Sequence, residues 1–262
     1  MRTKIFYFSA TGNCMTTAKI LAELLPETCE VVSVSALRQV ENVMVEEDNV
    51  GFVFPVYYGD MPYIVRETIE KMTFTHDPYI FLMATYRGHP GDVAKRLEDV
   101  LAPRGVHLAL SVGIPMPGNS YLSTKEEMQN ALVHQKDHIQ ALVGRIISRE
   151  TEDYTQPPRP EASMVSHLHN FRGIQADDRC IGCGICANIC PLDNIRIVDG
   201  HARIGEQCMT CLTCFHWCPQ EAIYMSKEEK IARRSKYHHP DVRLQDILNE
   251  KKQAGQDVVF RI

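Results

Sequence analysis

The stretch Thr3–Cys14, TKIFYFSATGNC, decides how the chain begins to fold. Its first half, Lys4–Phe8, is rich in the aromatic and β-branched side chains that favour an extended strand. Its second half, Ser9-Ala10-Thr11-Gly12-Asn13-Cys14, runs directly into a helical pattern over about 13–25. The free N–H groups at such a helix start, with a dipole end worth roughly half a charge, make a site for phosphate. The Ser9 and Thr11 hydroxyls add neutral donors, and Gly12 lets a ligand approach the backbone closely. The loop has no lysine, which excludes a P-loop, and no G-x-G-x-x-G follows the strand. A single phosphomonoester therefore fits better than a dinucleotide.

Outward from this stretch, strands and helices alternate. Further strand patterns fall at Glu30–Val34, Asn49–Phe54, Tyr79–Thr85 and Val106–Val112, nearly continuous in apolarity, as strands covered on both faces are. Helical patterns lie at about 62–73, 90–103 and 123–149, with a weaker one near 36–45. Five β–α units in succession predict an α/β fold with an open, doubly wound parallel sheet over residues 1–150. Ligands of such sheets bind at the strand carboxyl ends, which directs attention to the loops after strands one, three and four.

The alternation stops at Thr151. Residues 151–175 carry Pro157, Pro158 and Pro160 and read as a linker. Cys14 and Cys29 stand alone, but the other eight cysteines crowd into 180–218, within a second domain expected at 176–226. Two units, CIGCGICANICP and CMTCLTCFHWCP, repeat with an offset of 28 residues from Cys180 to Cys208. In a reducing compartment such a crowd means metal rather than disulfides. The run C-x2-C-x2-C-x3-C-P supplies three thiolates to one [4Fe–4S] cluster, and its fourth cysteine crosses to the other. One cluster is thus expected on Cys180, Cys183, Cys186 and Cys218, the second on Cys208, Cys211, Cys214 and Cys190. Structural zinc sites pair two short C-x2–4-C knuckles, a different design. Gly182 and Gly184 suit close backbone approach to cluster sulfide. The segment resembles bacterial-type two-cluster ferredoxins, which implies a small α+β domain.

The loop Ser9–Cys14, in turn, resembles the phosphate loop of the flavodoxin family, S/T-x-T-G-N-T, with Cys14 where threonine is usual. Thr16 and Thr17 are candidates to replace the missing hydroxyl. The resemblance implies a flavodoxin-like five-stranded sheet and FMN as cofactor. It also implies that Pro55, Val56, Tyr57, Tyr58 and Gly59 after strand three, and Thr85, Tyr86, Arg87 and Gly88 after strand four, hold the isoalloxazine. Tyr57, Tyr58 or Tyr86 would stack on the ring. The only tryptophan, Trp217, sits inside a cysteine run, so tyrosines are expected in this role. Together the two halves resemble flavodoxin–ferredoxin fusion proteins, a family found mostly in anaerobes. That resemblance implies electron transfer among two [4Fe–4S] clusters, FMN and a redox partner protein. The alternative is an FMN-dependent reductase of a small-molecule acceptor.

Composition excludes other classes. A formal charge of −5 and a pI near 6.1 give no basic stripe for nucleic acid. No run approaches the ~18 apolar residues of a membrane span, and a cytoplasmic location is expected. The last stretch, 227–262, carries nine Lys/Arg against six Asp/Glu and a weak helical pattern around 241–252. It is expected to pack on the rest of the chain, with Tyr237-His238-His239-Pro240-Asp241 at the flavin–cluster junction or in a plain turn.

Overall fold

The computed structural model describes residues 1–119, 123–154, 173–225 and 236–251. The first elements are β1 (Thr3–Tyr7), α1 (Asn13–Leu24), β2 (Cys29–Ser33), β3 (Val43–Val45), β4 (Asn49–Pro55), α2 (Tyr63–Glu70) and β5 (Met72–Phe74). They continue with β6 (Tyr79–Tyr86), α3 (Val93–Leu101), β7 (Leu108–Pro115), α4 (Lys125–Val133) and α5 (Gln135–Ile147). Strands β2-β1-β4-β6-β7 form a parallel sheet in that order, so β1 lies between β2 and β4 and the winding reverses there. This is the expected doubly wound architecture, and the reversal opens a crevice at the carboxyl ends of β1 and β4.

The near-continuous apolarity of the strands has the expected cause. Phe6, Phe8, Phe52, Phe54, Ile80 and Leu82 enter one core with residues of α2 and α3. Their neighbours Ile5, Tyr7, Val53, Phe81 and Met83 enter a second with residues of α1 and α5. A strand alternates faces at every residue, so only a sheet buried on both sides uses both sets.

Several boundaries differ from the sequence reading. The weak helix near 36–45 is a short 3-10 turn, Val34–Leu37, followed by β3, which pairs in parallel with β5. The helix expected at 62–73 correspondingly ends at Glu70, because the chain must extend again to form that pair. The helix expected over 123–149 is two helices meeting at His134. The last sheet strand begins at Leu108 rather than Val106, two residues later than expected. Beyond α5, Glu152 N–H donates to the Ala109 carbonyl and the Tyr154 hydroxyl accepts from Ser111 N–H, so the first unit extends to residue 154. Most of the expected linker, 155–172, lies outside the described residues.

The second unit is built from β8 (Ile174–Ala176), α6 (Ile185–Ile189), β9 (Ile195–Val198), β10 (His201–Ile204), α7 (Thr213–Trp217) and β11 (Ile223–Met225). Two antiparallel pairs, β8 with β11 and β9 with β10, and two short packed helices make the small α+β fold. The sequence repeat is also a backbone repeat. Gly182, Gly184 and Asp193 have φ values of 65°, 77° and 51°; their partners 28 residues on, Thr210, Leu212 and Glu221, have 57°, 61° and 51°. A last helix, α8 (Leu244–Glu250), belongs to the C-terminal stretch.

The second unit sits over the carboxyl ends of the sheet strands. Leu192, Met209 and Cys211 join the core on one side of the sheet, and Ile189 and Trp217 join the core on the other.

Candidate functional site: a cleft and two cysteine pockets

A cleft at the sheet's carboxyl edge offers about 370 Å³ of space that merges with open solvent. It is lined by Ser9, Ala10, Thr11, Asn13 and Cys14, by Pro55, Val56 and Tyr57, and by Thr85, Tyr86 and Arg87. Four residues singled out in the sequence stand outside this lining: Gly12, Tyr58, Gly59 and Gly88. Tyr58 and Gly59, with φ of 54° and 75°, form the tip of a tight turn closed by mutual hydrogen bonds between Tyr57 and Asp60. The geometry is that of a type I′ turn, which points Tyr58 outward, 40% exposed. Gly12, at φ 95°, presents its Cα to the C-terminal stretch: a Cβ there would sit 2.8 Å from Val242 Cγ2 and 3.0 Å from His239 Cβ.

The helix start is held open by its own side chains. Ser9 Oγ accepts from Gly12 N–H at 3.0 Å, and Asn13 Nδ2 donates to the Pro117 carbonyl at 3.0 Å. Cys14 replaces the usual threonine and lies 3.0 Å from Thr85 Oγ1. Burial pushes its thiol up to about 12, so it remains protonated and unreactive at neutral pH. Thr16 and Thr17 do not replace the missing hydroxyl. Both donate backwards to the Asn13 carbonyl at 2.9 Å, and both accept from Gln135 Nε2 at 2.9 Å. A hydroxyl in the first turn competes for the carbonyl beneath it, and here the carbonyl wins.

Sequence reasoning missed one whole wall. Met116, Pro117, Gly118 and Asn119, the loop after β7, complete the lining. The signal was available, since the loop leaves the carboxyl end of a strand in the same sheet. Asn119 is the most informative of these residues. Its Nδ2 donates to Tyr57 Oη at 2.9 Å and to the Cys211 carbonyl at 2.8 Å. Tyr57 is buried, and burial pushes its hydroxyl well above the usual range, so it stays neutral. Tyr86 lies along the next strand, where only glycine fits: a Cβ on Gly113 would meet its ring at 2.5 Å. Arg87 reaches Glu127 at 3.4 Å. Trp217, set aside on sequence, donates from Nε1 to the Ala10 carbonyl at 2.9 Å and so touches the phosphate-type loop from behind.

The eight clustered cysteines fall into two groups. One cavity is lined by Cys180, Cys183, Cys186 and Cys218, another by Cys190, Cys208, Cys211 and Cys214. Each group takes three cysteines from one sequence unit and one from the other. Backbone N–H groups of Ala202, Ala222, Asn194 and Thr210 donate at 3.4 Å to the sulfurs of Cys180, Cys218, Cys190 and Cys208 respectively. Such N–H···S contacts suit thiolates bound to a cluster and raise its potential. Burial pushes the Cys186 thiol up to about 11 and Cys211 up to about 12, so both favour the neutral form unless a bound cation stands beside them. Gly182 serves a neighbour other than sulfide: a Cβ there would lie 2.5 Å from the Gly200 carbonyl in the β9–β10 turn. The first pocket is the outer one, with Cys183 exposed; in the second, Cys211 is buried in the core on one side of the sheet.

A flavodoxin-type crevice and paired four-cysteine pockets define a redox protein that combines flavin and iron–sulfur chemistry. Residues 4–148 match the flavodoxin domain family and residues 172–219 the 4Fe-4S dicluster domain family. The chain belongs to the flavodoxin domain family and, with the dicluster unit behind it, is a flavodoxin–ferredoxin fusion; its cofactors are FMN and iron–sulfur clusters. Pyruvate synthase subunit PorD of Methanocaldococcus jannaschii is 30% identical over 77 residues, which cover 29% of this chain and 90% of that protein. An uncharacterised polyferredoxin-like protein of the same organism is 22% identical over 100 residues, 33% of this chain; the match spans only 60% of that protein's length. Among solved structures, a flavodoxin of Streptococcus pneumoniae TIGR4 aligns with 57% of this chain and 99% of its own, at 13% identity and a TM-score of 0.37.

Proposed function

We propose that this protein carries electrons between two [4Fe–4S] clusters and FMN and exchanges them with a partner protein. When bound, the clusters supply single-electron steps and FMN links these to two-electron chemistry. The observation that carries the proposal is the junction at Asn119, where one side chain holds both a wall of the flavin cleft and the carbonyl of Cys211.

In this reading Ser9, Thr11 and the N–H groups of Asn13 and Cys14 hold the FMN phosphate, with the helix dipole favouring its charge. Tyr57 and Tyr86 flank the ring, with Pro55, Val56, Thr85 and Arg87 completing its surround. Tyr58, Gly59 and Gly88 act one step away by shaping the loops. Cys190, Cys208, Cys211 and Cys214 hold the cluster nearer the flavin, and Cys180, Cys183, Cys186 and Cys218 the outer one. The exposed edge at Cys183 is the side offered to the partner. Ligation through free thiolates suits a reducing compartment, which favours the cytoplasm.

The test is stopped-flow reduction of the anaerobically prepared, cofactor-loaded chain by a reduced low-potential ferredoxin. Flavin bleaching that follows cluster reduction at a rate independent of the chain's own concentration is expected. Bleaching only at a rate that rises with that concentration, or a preparation without flavin, would overturn the proposal.

A further inference from the structure

Residues 236–251 run from one crossing cysteine to the other by way of the phosphate-type loop. At the start, Lys236 Nζ donates to the Cys218 carbonyl at 3.2 Å and to the Phe215 carbonyl at 2.5 Å. At the end, Lys251 Nζ donates to the Cys190 carbonyl at 2.8 Å and pairs with Asp193. Between these anchors, His238 stacks on Trp217 with ring centres 4.5 Å apart, and Val242 and Ile247 are buried in the core beside α1.

The middle of the segment grips the loop directly. His239 N–H donates to the Thr11 carbonyl at 2.7 Å, and Tyr237 Oη donates to Asn13 Oδ1 at 2.6 Å. His239 also acts at a distance. Its Nδ1 accepts from Asp241 N–H, which leaves the proton on Nε2 to be donated to Gln135 Oε1 at 2.9 Å. Gln135 then donates to Thr16 and Thr17, whose hydroxyls hold the first-turn carbonyl of Asn13. The segment is thus tied through Gln135 to the first turn of α1, whose residues Asn13 and Cys14 line the cleft.

We propose that residues 236–251 are a positioning strap that couples FMN binding to the seating of the cluster unit, with His239 and Tyr237 as its positioning residues. The inference rests on the reading of Ser9–Cys14 as the flavin phosphate loop. FMN bound to the loop stabilises the strapped arrangement, and the strapped arrangement stabilises bound FMN, since coupling between two sites is reciprocal.

The experiment measures FMN affinity of the full, cluster-loaded chain by quenching of flavin fluorescence, with iron and sulfide counted in parallel. His239→Ala is expected to weaken FMN at least tenfold with cluster content unchanged. Lys251→Ala, remote from the loop, is expected to weaken it severalfold through release of the strap's end. Should His239→Ala fail to fold, Tyr237→Phe removes a single oxygen and is read the same way. FMN affinities within twofold of the parent in the folded variants would overturn the coupling alone. A parent chain that binds no FMN would instead refute the flavin-site reading, and the strap proposal with it.

Discussion

Gly12→Ala tests the strap at a backbone position where it packs against the phosphate loop. Gly12 has φ 95° and ψ −17°, a left-handed conformation that costs an L side chain roughly 1–2 kcal/mol. The added Cβ would lie 2.8 Å from Val242 Cγ2 and 2.9 Å from Val242 Cβ. Carbon atoms prefer about 3.5–4.0 Å, so the strap must back away from a packed core, at about 1–3 kcal/mol. The combined loss is about 3 kcal/mol, and at roughly 2–4 °C per kcal/mol the melting temperature falls by roughly 6–12 °C. Calorimetry under argon on the loaded protein reads this directly. A Val242→Ala background removes the nearest carbon and leaves the backbone strain together with the contacts at Cβ of residue 242 and at His239 Cβ, 2.9 and 3.0 Å away. There the alanine should cost about 1 kcal/mol less than in the parent, a coupling well outside the additivity of independent sites. Strictly additive substitutions would show that the Val242 methyl does not press on residue 12, and would refute the close approach of that side chain on which this reasoning depends.

Three further outcomes are expected. Glu250 is buried beside Tyr7, and burial pushes its carboxyl up to about 8 from 4.5. Folding thus favours the protonated form: its contribution is full below about pH 4.5, declines as pH rises to 8 and is level above, at about 1.4 kcal/mol per pH unit. Glu250→Gln should therefore be more stable than the parent by roughly 4 kcal/mol at pH 8 and by little at pH 4.5; a gap that does not grow with pH would contradict the burial. Cys190→Ala should lose the cluster shared with Cys208, Cys211 and Cys214, about half the iron, and keep the outer one; EPR showing the reverse would refute the crossed ligation. Asn119→Ala leaves Tyr57 Oη and the Cys211 carbonyl without their shared donor and should cost about 1–3 kcal/mol in denaturant unfolding, whereas a neutral result would remove the junction from the account.

The sheet was legible because strands buried on both faces leave long apolar runs, as in Asn49–Phe54 and Tyr79–Thr85. The short β3–β5 pair was not. Three-residue strands carry too few side chains to show a period, and only their mutual pairing makes them extended. The break at His134 was hidden for a similar reason, since the helical pattern runs across it. Within the cleft, the first loop could be read from Ser9 to Cys14. The roles of Thr16 and Thr17 could not, because each hydroxyl has two possible partners and Gln135, more than a hundred residues away, selects between them. The hydrogen bond of Trp217 was not legible either, for want of any local sign that the Ala10 carbonyl stands opposite its indole.

By itself the sequence determined the order of strands and helices, the loop suited to phosphate and the spacing of eight cysteines. These depend on side-chain periodicity and on chemistry within a few bonds. Tertiary structure alone decided that the cluster unit meets a wall of the cleft at Asn119, and that a C-terminal segment reaches from Cys218 to Cys190 across Gly12. Contacts of that kind join residues that no local pattern connects, and they exist only where two surfaces have already been brought together.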